Sequence, residues 1–309
     1  MGLVLQVLVV GSSAGAVYGL VAIGFVLVYR LTAVLQFAHG DVVGVAAFAT
    51  VLFAGTRLGG SSVPGGRYAL SAAGSISVGA VAAVLVYLLA VRPFMRRASA
   101  IGWIGATVAV AFAIEAVLAA TFPNEAYVVP QPAALDAARP LSLPGGATLP
   151  VRALWVLGIG AVVALATGWL LKRTTFGSAL DAIATEPAGA RAVGLPVDRL
   201  LAYAFALSGA LAAIAALSIA PEGGTISTQT GALLGLKAIV AAMLGSMVAG
   251  RAFMAAIGVG VLEAAVTSIH LPGASRALVG AAWHDLAPLL LLVLVLAFRP
   301  ASRAREQTE

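Results

Sequence analysis

Long apolar runs recur along the whole chain and decide what it can fold into. A helix needs about 20 mostly apolar residues to cross roughly 30 Å of hydrocarbon. Runs of suitable length and composition cover residues 3–29, 34–54, 70–91, 101–121, 151–171, 200–220, 231–249, 252–271 and 285–298. With only 10% charged residues, the chain lacks the polar surface of a soluble domain of this size. The sequence therefore predicts an all-α, polytopic transmembrane protein with nine spans in a lipid bilayer.

Two of these runs are interrupted by polar residues. Gln36, His39 and Asp41 fall within the second run, and Lys237 falls within the seventh beside several glycines. Such interruptions are typical of broken or re-entrant segments that are buried in protein or line a cavity. Eight spans therefore remain an alternative to nine.

The distribution of Lys and Arg indicates the orientation of the chain. With nine spans and the N-terminus outside, twelve of the eighteen Lys and Arg residues fall on the inner side and five on the outer side. Because cytoplasmic loops carry the excess of these residues, we expect a multi-pass protein of the inner membrane. Its N-terminus would lie outside and its C-terminus in the cytoplasm.

We expect residues 1–300 to form one transmembrane domain, followed by a short cytoplasmic tail at 301–309. The cytoplasmic loop 172–199 has helix signals of its own: good helix formers at 178–185, an interruption at Pro187, and helix formers again before Gly194. A short helix at the inner surface is either a solvated connector or a docking site for a cytoplasmic partner. The length and regularity of the signals favour docking.

Several chemistries are excluded by what the sequence lacks. It has no G-x-x-x-x-G-K-[ST] phosphate loop and no cysteine, and its three histidines are too dispersed for a metal-ligand set. The basic residues are scattered between apolar runs rather than gathered into a nucleic-acid-binding face. The sequence thus predicts no enzyme, no cofactor and no nucleic-acid partner. If the chain transports a solute, the energy comes from a second polypeptide or from an ion gradient.

Five ionisable residues within predicted spans are candidates for a translocation pathway or for structural polar contacts: His39, Asp41, Glu115, Lys237 and Glu263. A charge at a helix centre costs about 2.5–3.5 kcal/mol on insertion scales, so each is a functional candidate. Counting 1.5 Å per residue places the last three about 9–12 Å below the outer surface. The same count places the first two in the inner half of the membrane.

Lys237 and Glu263 lie at similar depth on consecutive antiparallel spans, which allows an ion pair. Such a pair either holds two helices together by mutual neutralisation or lines a polar vestibule for a zwitterion, and we favour the first. For His39 we favour a structural histidine beside a helix break over a proton relay. Asp41, two residues further on, faces a different side of a helix.

Three sequence blocks resemble the LivH-type branched-chain amino acid ABC permeases. The first is residues 18–30 with the string Leu-Gln-Phe-Ala-His-Gly-Asp at 35–41, where members usually show Asn in place of Gln36. The second, residues 175–210, resembles the coupling loop and following span of that family. The third covers parts of 235–300, with Ser246 where Gly is usual. The blocks keep the order of the family over nearly the whole chain.

The resemblance implies a complex of two permease subunits, identical or paralogous, with two cytoplasmic ATP-binding subunits and an extracytoplasmic solute-binding protein. It implies docking of the ATP-binding subunits on loop 172–199, with coupling residues Gly177, Ala184, Glu186, Arg191 and Gly194. The implied solutes are leucine, isoleucine, valine or related amino acids and amides. Urea, short amides and sugars remain alternatives for the solute, and a gradient-driven secondary transporter remains an alternative for the mechanism.

Overall fold

The chain folds into a bundle of apolar helices. The computed structural model describes residues 2–56, 62–95, 100–123, 126–136, 138–142, 148–219, 224–268 and 290. The α-helices of these residues are α1 (Gly2–Thr32), α2 (His39–Ala54), α3 (Gly65–Val86), α4 (Arg92–Met95), α5 (Ala100–Thr121), α6 (Ala133–Asp136), α7 (Val151–Arg173), α8 (Thr175–Thr185), α9 (Pro187–Ala192), α10 (Val197–Leu217), α11 (Thr230–Leu244) and α12 (Ala249–Ser268). A π-helical turn at Tyr87–Val91 joins α3 to α4. This architecture confirms the predicted all-α class.

Six of the described helices are long and apolar enough to cross a membrane. They are α1, the continuous run from α3 into α4, α5, α7, α10 and α12. The second and seventh predicted spans are shorter, because α2 has 16 residues and α11 has 15, which at 1.5 Å per residue is about 24 Å and 22 Å. The predicted count of eight or nine spans is therefore not confirmed. The last predicted run, 285–298, lies outside the described residues except for Leu290.

Small residues allow α1 and α12 to pack as a close antiparallel pair. A Cβ atom built on Gly11 would lie 2.6 Å from the Cα of Val261, and one on Gly15 would lie 2.5 Å from the Cα of Ile257. Glycines at such positions let helix backbones approach closely within a membrane. Small residues on α1 therefore set the distance between these two helices.

The two short helices, α2 and α11, cross at their N-terminal ends. A Cβ on Gly40 would lie 2.8 Å from the Cα of Gly235, and a Cβ on Gly231 would lie 2.9 Å from the backbone nitrogen of Gly44. Residue numbers rise along α2 where they fall along α11, so the two helices are antiparallel. They overlap over their first turns. Both N-termini therefore lie inside the bundle.

This crossing corrects the depths that we derived from the sequence. His39 and Asp41 were placed in the inner half and Lys237 near the outer surface, yet Gly40 touches Gly235. The count was wrong because it treated residues 34–38 as helix, whereas α2 begins at His39. Residues 33–38 form a bend and a turn, so counting 1.5 Å for each of them does not give the depth at which α2 begins.

Left-handed backbone turns the chain before α2 and before α12. Ala33, just after α1, has φ 55°, and Ser246 and Met247, between α11 and α12, have φ 54° and 56°. This region favours glycine, and other residues reach it at a cost of about 1–2 kcal/mol. The usual family Gly at the position of Ser246 is explained by this geometry.

Short strands tie the ends of the helices together opposite the α8–α9 end. The pairings are β1 (Ser62–Val63) with β3 (Gln131–Pro132) in parallel, β2 (Tyr127–Val128) with β6 (Thr225–Ile226) antiparallel, and β4 (Leu141–Ser142) with β5 (Thr148–Leu149) antiparallel. The ring of Tyr127 meets Phe122 and Phe48 edge-on, with centroids 5.4 and 5.7 Å apart. The pairing of β2 with β6 thus joins the segment after α5 to the segment before α11.

Candidate functional site

The predicted inner-surface helix corresponds to α8, α9 and the two residues that follow them, and we call residues 175–194 the α8–α9 segment. The side chain of Thr174 caps α8 by accepting a hydrogen bond of 3.3 Å from the backbone N–H of Gly177, as N-cap threonines do. Pro187 then opens α9, where a missing N–H has no cost. Gly194 ends the segment with φ +85°, in the left-handed region typical of a helix-ending glycine.

One face of the α8–α9 segment is buried against two long helices. Leu180, Ile183 and Ala190 belong to an apolar cluster with residues from the end of α1 and the start of α10. The members from those two helices are Leu27, Val28 and Leu31 of α1, and Val197, Leu201, Ala204 and Phe205 of α10. The segment is therefore packed onto the bundle rather than suspended as a loop.

Charged contacts surround this apolar cluster. Arg30 of α1 donates to the carboxylate of Asp181 of α8 at 2.9 Å. Asp198 of α10 lies 3.7 Å from Arg92, after the π-helical turn, and 3.8 Å from Arg191 of α9. Exposed pairs of this kind contribute about 0–1 kcal/mol each, so they orient the segment more than they stabilise it.

The five predicted coupling residues occupy different positions in the α8–α9 segment. Gly177 is buried where any side chain would collide with the carbonyl of Leu171, and Ala184 lines a small recess between α1, α7 and α8. Glu186 is exposed at the bend and its side chain makes no capping hydrogen bond. Arg191 and Gly194 are exposed as well. Their role in coupling stays a prediction.

Lys237, Glu263 and Tyr18 form a buried polar cluster between α11, α12 and α1. Lys237 Nζ lies 2.7 Å from Oε1 of Glu263, with the two side chains only 8% and 3% exposed. The Tyr18 hydroxyl donates to Oε2 of Glu263 at 2.8 Å, and Lys237 Nζ lies 5.1 Å from the centroid of the Tyr18 ring. The ion pair that the sequence allows is thus formed. Each charge finds a partner inside the bundle, which suits the role of holding three helices together.

His39 is held by hydrogen bonds to two other helices. Its Nε2 lies 3.1 Å from the carbonyl oxygen of Val21 of α1, and its Nδ1 lies 3.3 Å from Oγ of Ser208 of α10. Because a carbonyl can only accept, Nε2 donates to Val21. The single proton of the Ser208 hydroxyl is shared between the carbonyl oxygen of Gly24, at 3.0 Å, and Nδ1 of His39. This arrangement favours a structural role for His39 over a relay.

Asp41 and Glu115 lie at the same level of α2 and α5. The two helices run in the same direction, with Phe48 and Phe122 at 4.5 Å between ring centroids and Gly44 beside Leu118. This register places Asp41 and Glu115 at the next level, one turn towards the N-terminus of each helix. Asp41 is 3% exposed and Glu115 is half-buried. The sequence placed these two residues in different halves of the membrane, and the register corrects that.

Sequence reasoning did not find three polar residues that take part in these clusters. Tyr18 and Ser208 fall inside apolar runs, and a hydroxyl is too common in membrane helices to signal a site. Gln36 was noted as a departure from the family string, yet it is 3% exposed and neither polar atom of its amide has a hydrogen-bond partner. Gln36 lies two residues before the N-cap of α2, and this position was the one sequence feature that could have indicated a buried polar residue. Among the described residues, no group of three His, Asp or Glu side chains could hold a metal ion.

Comparison with solved structures shows that the fold of this chain is known from another protein. A chain of PsaBC from Streptococcus pneumoniae, solved in complex with a Fab, aligns with all of this chain and 96% of its own length. The TM-score is 0.51 and the sequence identity is 15%. The similarity at this identity concerns the fold alone.

Comparison of sequences identifies relatives over nearly the whole length. The high-affinity branched-chain amino acid transport system permease protein BraD of Pseudomonas aeruginosa is 28% identical over 96% of this chain and 94% of its own. LivH of Escherichia coli, a permease protein of the same type of system, is 24% identical over the same shares. The autoinducer 2 import system permease protein LsrC of Klebsiella pneumoniae is 39% identical, but over 43% of this chain and 39% of its own.

The family profile joins these observations. Residues 7–296, from α1 to beyond the described end of α12, match the family described as branched-chain amino acid transport system / permease component. The match includes the α2–α11 crossing, the buried polar clusters and the α8–α9 segment, and the apolar helices agree with a multi-pass membrane protein. This chain belongs to the family of branched-chain amino acid transport system permease components.

Proposed function

We propose that this chain is the membrane-spanning subunit of an ATP-driven importer of branched-chain amino acids. The α8–α9 segment supports this most directly, because it is fixed to α1 and α10 by its buried face and exposes the opposite face at the bundle end. BraD and LivH align over 96% of the chain, and their names describe permeases for branched-chain amino acids. We take the proposed solute from these names. LsrC aligns over 43% only, so its solute is the second candidate.

The proposed complex contains two cytoplasmic ATP-binding subunits, a second permease subunit and an extracytoplasmic solute-binding protein. The sequence carries no phosphate loop, so the ATP-binding subunits supply the energy. They dock on the α8–α9 segment through the surface that includes Glu186, Arg191 and Gly194. The α8–α9 end then faces the cytoplasm and the β2–β6 pairing faces outside, which agrees with the distribution of Lys and Arg.

The packing supplies a route for the motion of the ATP-binding subunits. Ile183 and Leu180 of α8 contact the inner ends of α1 and α10. Further along, α1 carries Tyr18 of the Lys237–Glu263 cluster, and α10 carries Ser208 of the His39 cluster. Rigid helices pass a displacement along their length, so closure of the ATP-binding subunits reaches both clusters and rocks the bundle between outward and inward access.

Reconstitution into liposomes tests this proposal. With its cognate ATP-binding subunits, second permease subunit and binding protein, the chain should accumulate L-leucine only when ATP is supplied on the side of the ATP-binding subunits. The chain alone should neither hydrolyse ATP nor accumulate solute. Hydrolysis by the purified chain, or uptake by the chain alone that disappears with the membrane potential, would contradict the proposal.

A further inference from the structure

Asp41 and Glu115 are two acidic groups inside the helix bundle. In the described part of the chain, no ion pair joins either carboxylate to Lys, Arg or His, and Lys237 is engaged by Glu263. Oδ1 of Asp41 is buried and has no hydrogen-bond partner. Opposed carboxylates in an apolar interior repel each other and are costly to charge. Their position therefore suits a positively charged ligand.

Groups of the opposite character lie beside this acidic pair. The N-terminus of α2, which carries partial positive charge, lies against the second turn of α11 through the contact of Gly40 with Gly235. Gln36, two residues before the N-cap Ala38 of α2, adds a buried amide whose donor and acceptor atoms are both unpartnered. Buried polar atoms without partners are rare and call for an explanation. Acidic and electropositive groups side by side match a zwitterion.

We infer, on the basis of the proposed function, that this junction is a solute site for α-amino acids. Asp41 and Glu115 bind the α-ammonium group, while the Gln36 amide and the N-terminus of α2 bind the α-carboxylate. The site accepts amino acids and rejects urea, neutral amides and sugars, which carry no ammonium group. The contact between Gly40 and Gly235 closes it in this structure, so solute binding separates α2 from α11 at that point.

Uptake measurements on the complete reconstituted complex test the site. Asp41→Asn and Glu115→Gln should each lower L-leucine uptake at least tenfold, while ATP hydrolysis stimulated by the loaded binding protein stays within twofold of the wild type. Thr50→Val is the matched control, because Thr50 is buried on the same helix and its hydroxyl bonds the carbonyl of Ala46 in that helix. Unchanged uptake in the two charge variants would overturn the inference, and so would parallel loss of uptake and hydrolysis. No L-leucine uptake by the wild-type complex would contradict the proposed function instead.

A second measurement does not depend on transport. Saturation-transfer NMR on the wild-type chain in lipid nanodiscs should show contact with L-leucine and with L-leucinamide, which keeps the ammonium group. N-acetyl-L-leucine, which lacks that group, should show none, and Asp41→Asn should abolish the leucinamide signal. Equal signals from L-leucine and N-acetyl-L-leucine would overturn the ammonium assignment.

A metal cation is the other possible source of positive charge. Replacing Na⁺ and K⁺ by N-methyl-D-glucamine should leave L-leucine uptake by the complex within twofold, because the solute itself supplies the cation. Uptake that collapses without Na⁺ would overturn the inference in favour of a metal-ion site.

Discussion

Gly40 of α2 and Gly235 of α11 approach so closely that a Cβ on either would come within 2.8 Å of the other's Cα. The contact joins two helices that are each too short to span the bilayer, and it sets their N-termini inside the bundle. Three of the polar candidates lie within two residues of this contact, namely His39, Asp41 and Lys237. The crossing is therefore the point of the fold from which the polar interior is organised.

A methyl group at this contact should disturb the fold. Gly235→Ala is expected to destabilise the protein by about 1–3 kcal/mol, as overpacking of a tight core does. Gly258→Ala is the matched control, since a Cβ at Gly258 meets nothing within 4 Å. Thermal unfolding of the purified chain in detergent measures both. Equal melting temperatures for the two variants would contradict the closeness of the crossing.

The buried pair should show coupling between its two members. Lys237→Met or Glu263→Gln alone leaves an uncompensated buried group and should cost about 3–5 kcal/mol. The double variant should recover much of the loss in expression and melting temperature. The exposed pair offers a control: Arg30→Met with Asp181→Asn should change stability by about 1 kcal/mol or less. Additive losses at Lys237 and Glu263 would mean that the two side chains act separately.

Local signals sufficed for the α8–α9 segment but not for the polar interior. Thr174, Pro187 and Gly194 carry their cap, start and stop signals within one short stretch, so the helices and their bend were predictable. Lys237 and Glu263 sit on consecutive antiparallel spans, so a depth count could pair them. Tyr18, in contrast, is 245 residues from Glu263 in the sequence, and no local pattern records that contact.

The start of α2 was also beyond local reasoning. The apolar run continues from Val34, yet the helix begins at His39 because Gly40 must meet Gly235 of a distant helix. Hydropathy does not distinguish an apolar segment of bends and turns from a helical one. The start of α2 at His39 determines the depth of Asp41 and places it level with Glu115.

Substitutions in the α8–α9 segment should separate membrane insertion from transport. Gly194→Val forces a β-branched residue to φ +85° and should lower both uptake and co-purification of the ATP-binding subunits at least tenfold. Gly194→Asn is the matched control and should retain most activity, because Asn tolerates left-handed backbone. Glu186→Ala should also abolish uptake. The exposed carboxylate makes no capping hydrogen bond, so its loss should affect docking of the ATP-binding subunits rather than local stability.

Glu186→Ala and Gly194→Val should both insert normally into the membrane, because neither residue lies in a span. The measurement is the amount of chain in the membrane beside the amount of co-purified ATP-binding subunit. Normal co-purification with normal uptake for Glu186→Ala and Gly194→Val would mean that the segment is an ordinary connector.

The absence of cysteine makes the orientation directly measurable. Val128→Cys, on β2 where the native side chain is 43% exposed, should react with a membrane-impermeant maleimide added to intact spheroplasts. Ala182→Cys, exposed on α8, should react only after permeabilisation. The reverse pattern of labelling would invert the proposed orientation.

The length of α1 has a mechanical consequence. Its 31 residues reach about 46 Å at 1.5 Å per residue, well beyond the roughly 30 Å of hydrocarbon. The inner end of α1 is held by Asp181 through Arg30, and Tyr18 lies twelve residues away, about 18 Å along the axis. A tilt of about ten degrees around that anchor moves Tyr18 by about 3 Å, more than a hydrogen bond can stretch. Under the proposed docking of the ATP-binding subunits, a small rotation of α1 at its Arg30 end should therefore break the hydrogen bond from Tyr18 to Glu263.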